Sequence, residues 1–401
     1  MSRPTSPMQR ASYRLVSDPP ERISRNRIAV IGASYFISGS AAHSSLLDLI
    51  RYALPKCPIL VLESSRYVAR ASSQTRGRFV NVTVPKMRLG SQSAMLGFVM
   101  TVQTCFRFLR ELIGIRPKLL HVINMDSAII GFVYRTIVDP RCLLAYHVMD
   151  IYAYLHATNT FLRAILLAIE RFFANSASLA ITVSEEFART LGIRAPLIVY
   201  PGLTPNYEEI RAAARGGKVQ PRLQKSQDEK WILCSGIVHR KRGLDKIVLL
   251  AKSLGDMVKV VCTGPVASDY RREFEALVAT NVLKPVGFLD SGEYYQLVAS
   301  CDYVAIPYDA DEYYQFAPTY KLYEALLFRK PVIATKGTLT AKRAEVLGVG
   351  IAMDFAIRDN ARGLLNKLEG NRTELLKQDH YARFAHAQIS EFVRRYLGLF
   401  A

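Results

Sequence analysis

Short apolar runs recur along this chain and alternate with longer segments of helical periodicity. Most runs are apolar throughout, which is typical of parallel strands that are buried on both faces of a sheet. In the first half of the chain these runs lie at 27–32, 58–62, 79–84, 119–123, 142–147, 179–183 and 197–200. The clearest helical pattern, from Met95 to Ile113, gathers its apolar residues on one side, and we expect that helix to cover a sheet.

The same alternation restarts after a polar segment. Residues 204–229 contain a Gly-Gly-Lys tripeptide and mixed charges, and this composition predicts a linker. Further apolar runs follow at 231–236, 258–264, 283–287, 302–307, 331–335 and 350–354. Strands alternating with helices predict α/β architecture with parallel sheets. We therefore expect two Rossmann-like domains facing a cleft, at 27–203 and 230–374, followed by a helix in 375–401.

Length and composition narrow the class of protein. A chain of 401 residues, half of them hydrophobic, has room for two domains with real cores. No apolar run reaches the roughly 18 to 20 residues that span a bilayer. Residues 1–26 are rich in Arg, Ser and Pro without an apolar segment, so we expect a disordered basic tail and not a signal peptide. The six cysteines lie far apart, which favours reduced thiols in a cytosolic protein over a zinc site.

The net charge of +19 implies an anionic partner. Between Glu63 and Glu111 there is no acidic residue. The same stretch contains Arg66, Arg70, Arg76, Arg78, Lys86, Arg88, Arg107 and Arg110. Because aromatic residues are sparse there and no nucleic-acid-binding module is visible, we expect an anionic membrane surface and no nucleic acid. A merely soluble basic surface remains the alternative.

The segment APTYKLYEALLFRKPVIAT, residues 317–335, contains the most informative pair of charges. Lys321 and Glu324 lie three residues apart at the start of a predicted helix that follows a predicted strand. A cation and a carboxylate in such a crevice suit a nucleotide, because the cation meets phosphates and the carboxylate meets ribose hydroxyls. The alternative is a solvated surface pair.

This segment resembles the donor-binding segment of GT-B glycosyltransferases, and it is nearest to the retaining family 4. SGIVHRKRGLDKIV, residues 235–248, is similar to the loop with which that family approaches the donor diphosphate. The resemblance implies that Gly236 and Arg242 bind the donor together with Lys321 and Glu324. Ile237 replaces the arginine that the family has after its first glycine.

A second departure from family 4 lies eight residues before Glu324. The family often has a glutamate there, near the sugar, whereas this chain has Phe316. Nearby acidic residues are candidates to replace it: Asp309, Asp311 and Glu312. The DAD tripeptide at 309–311 also resembles a metal-binding DxD motif, but GT-B enzymes generally neutralise the diphosphate with cations and helix dipoles. We therefore expect no metal and no resident cofactor.

The first half of the chain contains the candidates for chemistry. Gly32 ends the first predicted strand and resembles the family's N-terminal loop, which touches donor and acceptor. His147 ends another predicted strand and Asp150 follows it, on the crevice side of a parallel sheet. The resemblance places one of them beside the transferred sugar. The alternative is a hydrogen-bonded histidine and a turn-forming aspartate, and His121, inside an apolar run, is expected to be structural.

The resemblance implies a hexosyltransferase that moves a sugar from a nucleotide-sugar donor, with retention. The resemblance also implies that residues 375–401 cross back to the first domain. It further implies a lipid-linked saccharide or glycan acceptor, in exopolysaccharide or envelope-glycan synthesis at the inner face of the cytoplasmic membrane. Two alternatives stay open: an epimerase-like GT-B enzyme, and a non-catalytic nucleotide-sugar-binding protein.

Overall fold

A computed structural model of the chain describes residues 27–32, 41–65, 72–76, 79–85, 94–216, 225–355 and 361–400. The strands of these residues form two sheets. The first sheet contains β1 (Ile28–Gly32), β2 (Ile59–Ser65), β3 (Ser72–Arg76), β4 (Phe79–Pro85), β5 (Leu119–Ile123), β6 (Leu143–Val148), β7 (Leu179–Thr182) and β8 (Leu197–Val199). The second sheet contains β9 (Lys230–Ser235), β10 (Val258–Thr263), β11 (Leu283–Gly287), β12 (Tyr303–Ile306), β13 (Val332–Thr335) and β14 (Gly350–Met353).

Both sheets have the doubly wound strand order that the alternating pattern predicts. The orders are β3-β4-β2-β1-β5-β6-β7-β8 and β11-β10-β9-β12-β13-β14. All neighbouring strands pair in parallel except β3 with β4, which are antiparallel. Strand β3, with the sequence SSQTR, was not predicted because it contains no apolar residue. The α/β fold class with two Rossmann-like units is confirmed.

Helices cover the faces of both sheets. Those up to the end of the first unit are α1 (Ala41–Ala53), α2 (Ala94–Ile115), α3 (Asn124–Ile137), α4 (Tyr152–His156), α5 (Thr160–Ser176) and α6 (Glu185–Leu191). The later helices are α7 (Tyr207–Gly216), α8 (Leu244–Leu254), α9 (Arg271–Val278), α10 (Ser291–Ser300), α11 (Tyr320–Leu327), α12 (Leu339–Val346), α13 (Ala361–Lys377) and α14 (His380–Gly398). None of the helices in the described ranges is long and apolar enough to cross a bilayer.

The first sheet is sandwiched between two helical layers. Helices α2, α3 and α5 bury residues such as Phe108, Tyr134 and Phe173 against one face. Helices α1 and α14 cover the other face, with residues such as Ile50 and Phe392. The helix predicted from Met95 onward is therefore confirmed as a cover for a sheet.

The segment predicted as a linker contains a helix. Within 204–229, α7 packs against α10 of the second unit, and Arg211 on α7 is buried in an ion pair with Asp379 at 2.6 Å. Helix α14 then packs against α1 and β8 of the first unit. The domain boundaries themselves stay a prediction.

Several predictions fall on residues outside the described ranges. The proposed tail at 1–26 is one, and the loop at 33–40 after Gly32 is another. Five of the eight basic residues of the acid-free stretch are a third, because 66–71, 77–78 and 86–93 are not described: Arg66, Arg70, Arg78, Lys86 and Arg88. Gly32 itself is the buried last residue of β1.

Candidate active site

The loop that connects β9 to α8 is built around glycines that accept no side chain. Gly236 has φ +101°, and a Cβ there would lie 2.9 Å from the Lys321 Nζ. Gly243 has φ +62°, and a Cβ there would lie 2.1 Å from the Pro307 carbonyl oxygen. Both residues therefore adopt the left-handed region that favours glycine. The loop holds its backbone close to the end of β12 and to the first turn of α11.

Two cations meet at one buried phenol beside this loop. The Lys321 Nζ donates a hydrogen bond to the Tyr308 hydroxyl at 2.7 Å. The Arg242 guanidinium lies over the Tyr308 ring, 4.1 Å from its centre. Burial raises the pKa of the Tyr308 phenol, but the charges of Lys321 and Arg242 outweigh burial, so that the pKa is lowered overall. A positive field of this kind, next to a glycine turn, suits an anion.

The carboxylate of Glu324 lies deeper in the same crevice. Its side chain is 6% exposed, and Oε2 accepts a hydrogen bond from the Tyr294 hydroxyl at 2.6 Å. The Tyr294 hydroxyl also lies 3.1 Å from the Ser235 Oγ at the end of β9. Burial raises the pKa of Glu324, and the Tyr294 hydrogen bond and the Lys321 charge oppose that rise. Glu324 and Lys321 thus take different partners, which is not the arrangement of a solvated surface pair.

Asp150 faces this group of residues from the first unit. Its Oδ1 accepts a hydrogen bond from the Tyr313 hydroxyl at 3.0 Å, and Tyr313 belongs to the loop between β12 and α11. The Asp150 backbone N–H donates to the Asn124 Oδ1 at 3.1 Å. Asn124 has φ +58° at the junction of β5 and α3, a backbone conformation that asparagine tolerates better than most residues. Asp150 therefore lies at the carboxyl ends of the strands, next to the second unit.

His147 lies away from that contact. Its side chain is 1% exposed, and its Nδ1 is 3.3 Å from the His121 Nε2. The other ring nitrogen of His121 lies 3.1 Å from the Tyr396 hydroxyl on α14. Burial lowers the pKa of His121 to about 3, so this imidazole stays neutral. His121 is structural, as predicted, and His147 joins the same buried group.

The acidic residues near the Phe316 position have partners of their own. Asp309 pairs with Lys246 at 2.6 Å, and Asp311 accepts the backbone N–H of Tyr314. Glu312 pairs with Arg163 of the first unit at 2.7 Å.

Phe316 itself packs among aromatic rings of the first unit. Its ring centre is 4.9 Å from that of Tyr154 and 6.0 Å from that of Phe187. Ile237, where the family has an arginine, is half exposed on the glycine loop. The structure therefore shows an aromatic contact between the units where the resemblance leads one to look for a carboxylate.

The structure brings the four predicted donor residues together, namely Gly236, Arg242, Lys321 and Glu324. Sequence reasoning missed the tyrosines that organise them, Tyr308 and Tyr294. The available signal for Tyr308 was its position directly after the end of a predicted strand. No local signal marked Tyr294, because it reaches Glu324 from a different helix.

Comparison with models of protein families gives no match, and comparison with curated proteins gives none either. Solved structures do match over nearly the whole chain. Sucrose-phosphate synthase from Thermosynechococcus elongatus has 16% identity and a TM-score of 0.68, over 94% of this chain and 99% of that chain. HepE from Anabaena, in complex with UDP and glucose, has 17% identity and a TM-score of 0.61, over 93% and 99%.

A third similar structure is the trehalose-6-phosphate synthase of Burkholderia multivorans. It has 9% identity and a TM-score of 0.66, over 93% of this chain and 95% of that chain. At such low identities the likeness establishes the fold. This chain therefore has the GT-B fold, with two Rossmann-like units that together account for nearly all of its length.

Proposed function

We propose that this chain is a glycosyltransferase of the family 4 type that takes its sugar from a nucleotide-sugar donor. The observation that carries the proposal is the convergence of Arg242, Lys321 and the Gly236 turn in front of the buried Glu324. Cations and a glycine turn suit a diphosphate, and a buried carboxylate suits ribose hydroxyls. HepE, which shares the fold, has a crystal structure in complex with UDP-glucose.

The reaction would displace a nucleoside diphosphate at the anomeric carbon. Negative charge grows on the leaving diphosphate oxygen, and fixed cations that face this oxygen stabilise the transition state. Arg242 and Lys321 would fill that role. Asp150 is the first-unit residue that would contact the sugar or the acceptor hydroxyl, because it lies next to the second unit. The proposal includes retention of anomeric configuration and needs no metal.

The acceptor part of the proposal is a lipid-linked saccharide or glycan of envelope or exopolysaccharide synthesis. It rests on the net charge of +19 and on the acid-free stretch between Glu63 and Glu111. Basic residues near an anionic surface contribute on the order of 1 kcal/mol each, screened by salt. This part of the proposal places the protein in the cytoplasm, attached to the inner face of the cytoplasmic membrane.

One observation favours the alternative of a non-catalytic nucleotide-sugar-binding protein. Phe316 packs against Tyr154 and Phe187, so no carboxylate stands at that position. An epimerase-like enzyme is the other alternative. Turnover separates the three: a transferase releases nucleoside diphosphate from the donor when acceptor is added, an epimerase changes the sugar without release, and a binding protein does neither.

The donor site is tested by Glu324→Ala and Glu324→Gln. We expect the alanine variant to bind nucleoside diphosphate at least ten times more weakly, about 1.4 kcal/mol, because the ribose hydroxyls lose their acceptor. Titration calorimetry with UDP and the other common nucleoside diphosphates gives the affinities, and a thermal melt controls for folding. Equal affinities of wild type and alanine variant would rule out Glu324 as a donor ligand.

A further inference from the structure

Helix α5 presents an apolar stripe on its outer side. Its members recur every three or four residues and therefore lie on one side of the helix: Phe161, Ala164, Ile165, Ala168, Ile169 and Phe172. Phe161 is 76% exposed and Phe172 is 52% exposed. Surface helices usually turn polar residues outward, so a continuous apolar stripe marks an interaction surface.

Neighbouring helices extend this surface. Helix α3 packs against both α2 and α5, so the three helices lie side by side on one face of the first sheet. On α2, Phe106 and Ile113 are exposed and lie seven residues apart, on one side of the helix. On α3, Ile129 and Ile137 are exposed with a similar spacing. The outer faces of three adjacent helices therefore all present large apolar side chains.

The charge of these helices is positive. Their basic residues are Arg107, Arg110, Arg135, Arg163 and Arg171. Their acidic residues are Glu111, Asp126 and Glu170, of which Glu170 is buried. Apolar residues surrounded by arginines are the composition of helices that lie in the interface of an anionic membrane. The charge thus favours an anionic lipid surface as the occupant over a second copy of this basic chain, which would repel it.

The inner side of α5 connects this surface to the candidate active site. Glu170, opposite the stripe, accepts the backbone N–H groups of Tyr152 and Ala153 at 2.8 and 3.0 Å and so holds the start of α4. Helix α4 begins two residues after Asp150. Arg163, also on α5, binds Glu312, in the loop of the second unit that also contains Tyr313. A surface bound by α5 therefore lies close to both sides of the candidate site.

We propose that the α5 stripe inserts into the interfacial region of an anionic membrane, and that this contact brings the Asp150 side of the site to the lipid surface. This inference rests on the proposed function for the lipid-linked nature of the acceptor. The inserted stripe would add an apolar contact to the electrostatic attraction between the basic residues and the membrane. Apolar insertion is insensitive to salt, whereas the attraction of basic residues is screened. The two contributions can therefore be separated by measuring vesicle binding at two salt concentrations.

The test uses the full chain with Phe161→Ser, Ile165→Ser and Phe172→Ser combined. A matched control replaces two exposed apolar residues of the second unit, Leu249→Ser and Val346→Ser. Flotation with phosphatidylglycerol-containing vesicles, and with purely zwitterionic vesicles, is measured at low and high salt. We expect the triple variant to bind anionic vesicles at least tenfold more weakly and to lose the binding that wild type retains in high salt. The control variant should bind like wild type.

A thermal melt and the single variant Phe161→Ser, at the most exposed position, guard against unfolding. If the folded triple variant binds anionic vesicles like wild type, the inference is wrong. If light scattering shows that wild type is a dimer and the triple variant a monomer, and vesicle binding is unchanged, the stripe is an interface between copies. Nucleoside diphosphate binding by the triple variant should stay at the wild-type level. Failure of the Glu324 test would therefore overturn the proposed function without affecting the vesicle result.

Discussion

At the scale of single residues, the candidate donor site consists of two cations that share one tyrosine. Lys321 donates to the Tyr308 hydroxyl, and Arg242 covers the Tyr308 ring. Two cations that are held close together repel each other, and the polarisable phenol moderates that repulsion. A bound diphosphate would moderate it more strongly, because it is charged. The site is therefore organised for an anion before any anion binds.

This organisation predicts a difference between nucleoside and nucleoside diphosphate. Arg242→Gln or Lys321→Met removes one positive charge from the place where we expect the diphosphate. Each variant should weaken binding of nucleoside diphosphate about tenfold or more, and should leave binding of the free nucleoside nearly unchanged. Calorimetric titration with both ligands measures the two affinities. If both ligands lose affinity equally, these side chains do not bind phosphate.

Tyr308 provides a direct titration signal. Lys321 and Arg242 lower its pKa in spite of burial, so one phenol should ionise at a lower pH than an ordinary tyrosine. Near-ultraviolet phenolate absorbance of the folded protein measures this, and Tyr308→Phe should remove the early step. Nucleoside diphosphate should raise the pKa of Tyr308, because negative charge nearby opposes ionisation. An early step that survives in Tyr308→Phe would assign it to another tyrosine.

The sequence predicted the charged members of the candidate donor site but not the tyrosines that contact them. Lys321 and Glu324 could be predicted because they begin a helix directly after a strand, at the edge where parallel sheets bind ligands. Tyr294 reaches Glu324 from α10, thirty residues earlier in the chain. A partner of this kind depends on how two helices pack, and no local pattern encodes that.

At the scale of elements, helix α5 connects the outer surface to the start of α4 through Glu170. Burial raises the pKa of Glu170 to about 7, although two backbone N–H groups oppose the rise. The folded chain therefore holds a proton that the unfolded chain releases near pH 4.5. The stabilising contribution of this proton is complete below pH 4.5 and is lost as the pH rises through 7.

Glu170→Gln should remove this pH dependence. Glutamine has the size of the neutral carboxyl group and cannot ionise. Its amide nitrogen cannot accept a hydrogen bond, so one of the two backbone N–H groups loses its partner, and this loss is the same at every pH. When the pH is raised from 5 to 8, the free energy of unfolding of wild type should fall by up to about 3 kcal/mol relative to that of the variant. Urea unfolding of both proteins at the two pH values measures this change in their stability difference, and the titration of all other groups cancels in the comparison. A constant difference between the two proteins would show that Glu170 ionises at its ordinary pH.

The strands could be predicted at this scale because most of them are continuous apolar runs. The exception is informative: β3 has the sequence SSQTR and pairs with β4 at the edge of the sheet. An edge strand is recruited by the backbone of its neighbour and needs no apolar side chains of its own. Helix α7, inside the predicted linker, also escaped prediction. Its inner side has only two large apolar residues, Tyr207 and Ile210, and the buried Arg211 beside them is paired with Asp379.

At the scale of the whole molecule, the loop between β12 and α11 joins the two units. It contributes Tyr313 and Phe316 to the core of the first unit, and the Tyr313 hydroxyl binds Asp150. On the other side of the first sheet, α14 crosses back and places Tyr396 beside His121. Further contacts join the units, among them the ion pairs Arg163–Glu312 and Arg343–Glu186 at 2.7 and 2.9 Å. The resemblance to GT-B enzymes leads us to expect that the two units close around the donor. A closed cleft would exclude water from the donor.

The loop contact predicts how the units would respond to substitution. Phe316→Ala removes a ring that packs against Tyr154 and Phe187, and aromatic pairs of this kind contribute about 0.5 to 1.5 kcal/mol each. Phe316→Glu should act more strongly, since it would bury a carboxylate among those rings. We expect both variants to have a larger radius of gyration in small-angle X-ray scattering, and Phe316→Glu to show the larger increase.

The affinity for nucleoside diphosphate distinguishes separation of the two units from a general loss of folded structure. Its proposed ligands Arg242, Lys321 and Glu324 all belong to the second unit, so the affinity should change less than about threefold when only the contact between units is lost. The proposed transfer to an acceptor would need both units, and its rate should fall by at least tenfold. Leu249→Ala, at an exposed position on α8, is the control that should change neither quantity. If Phe316→Glu leaves the radius of gyration and the transfer rate unchanged, the aromatic contact does not hold the units together, and α14 and the ion pairs between the units set their placement.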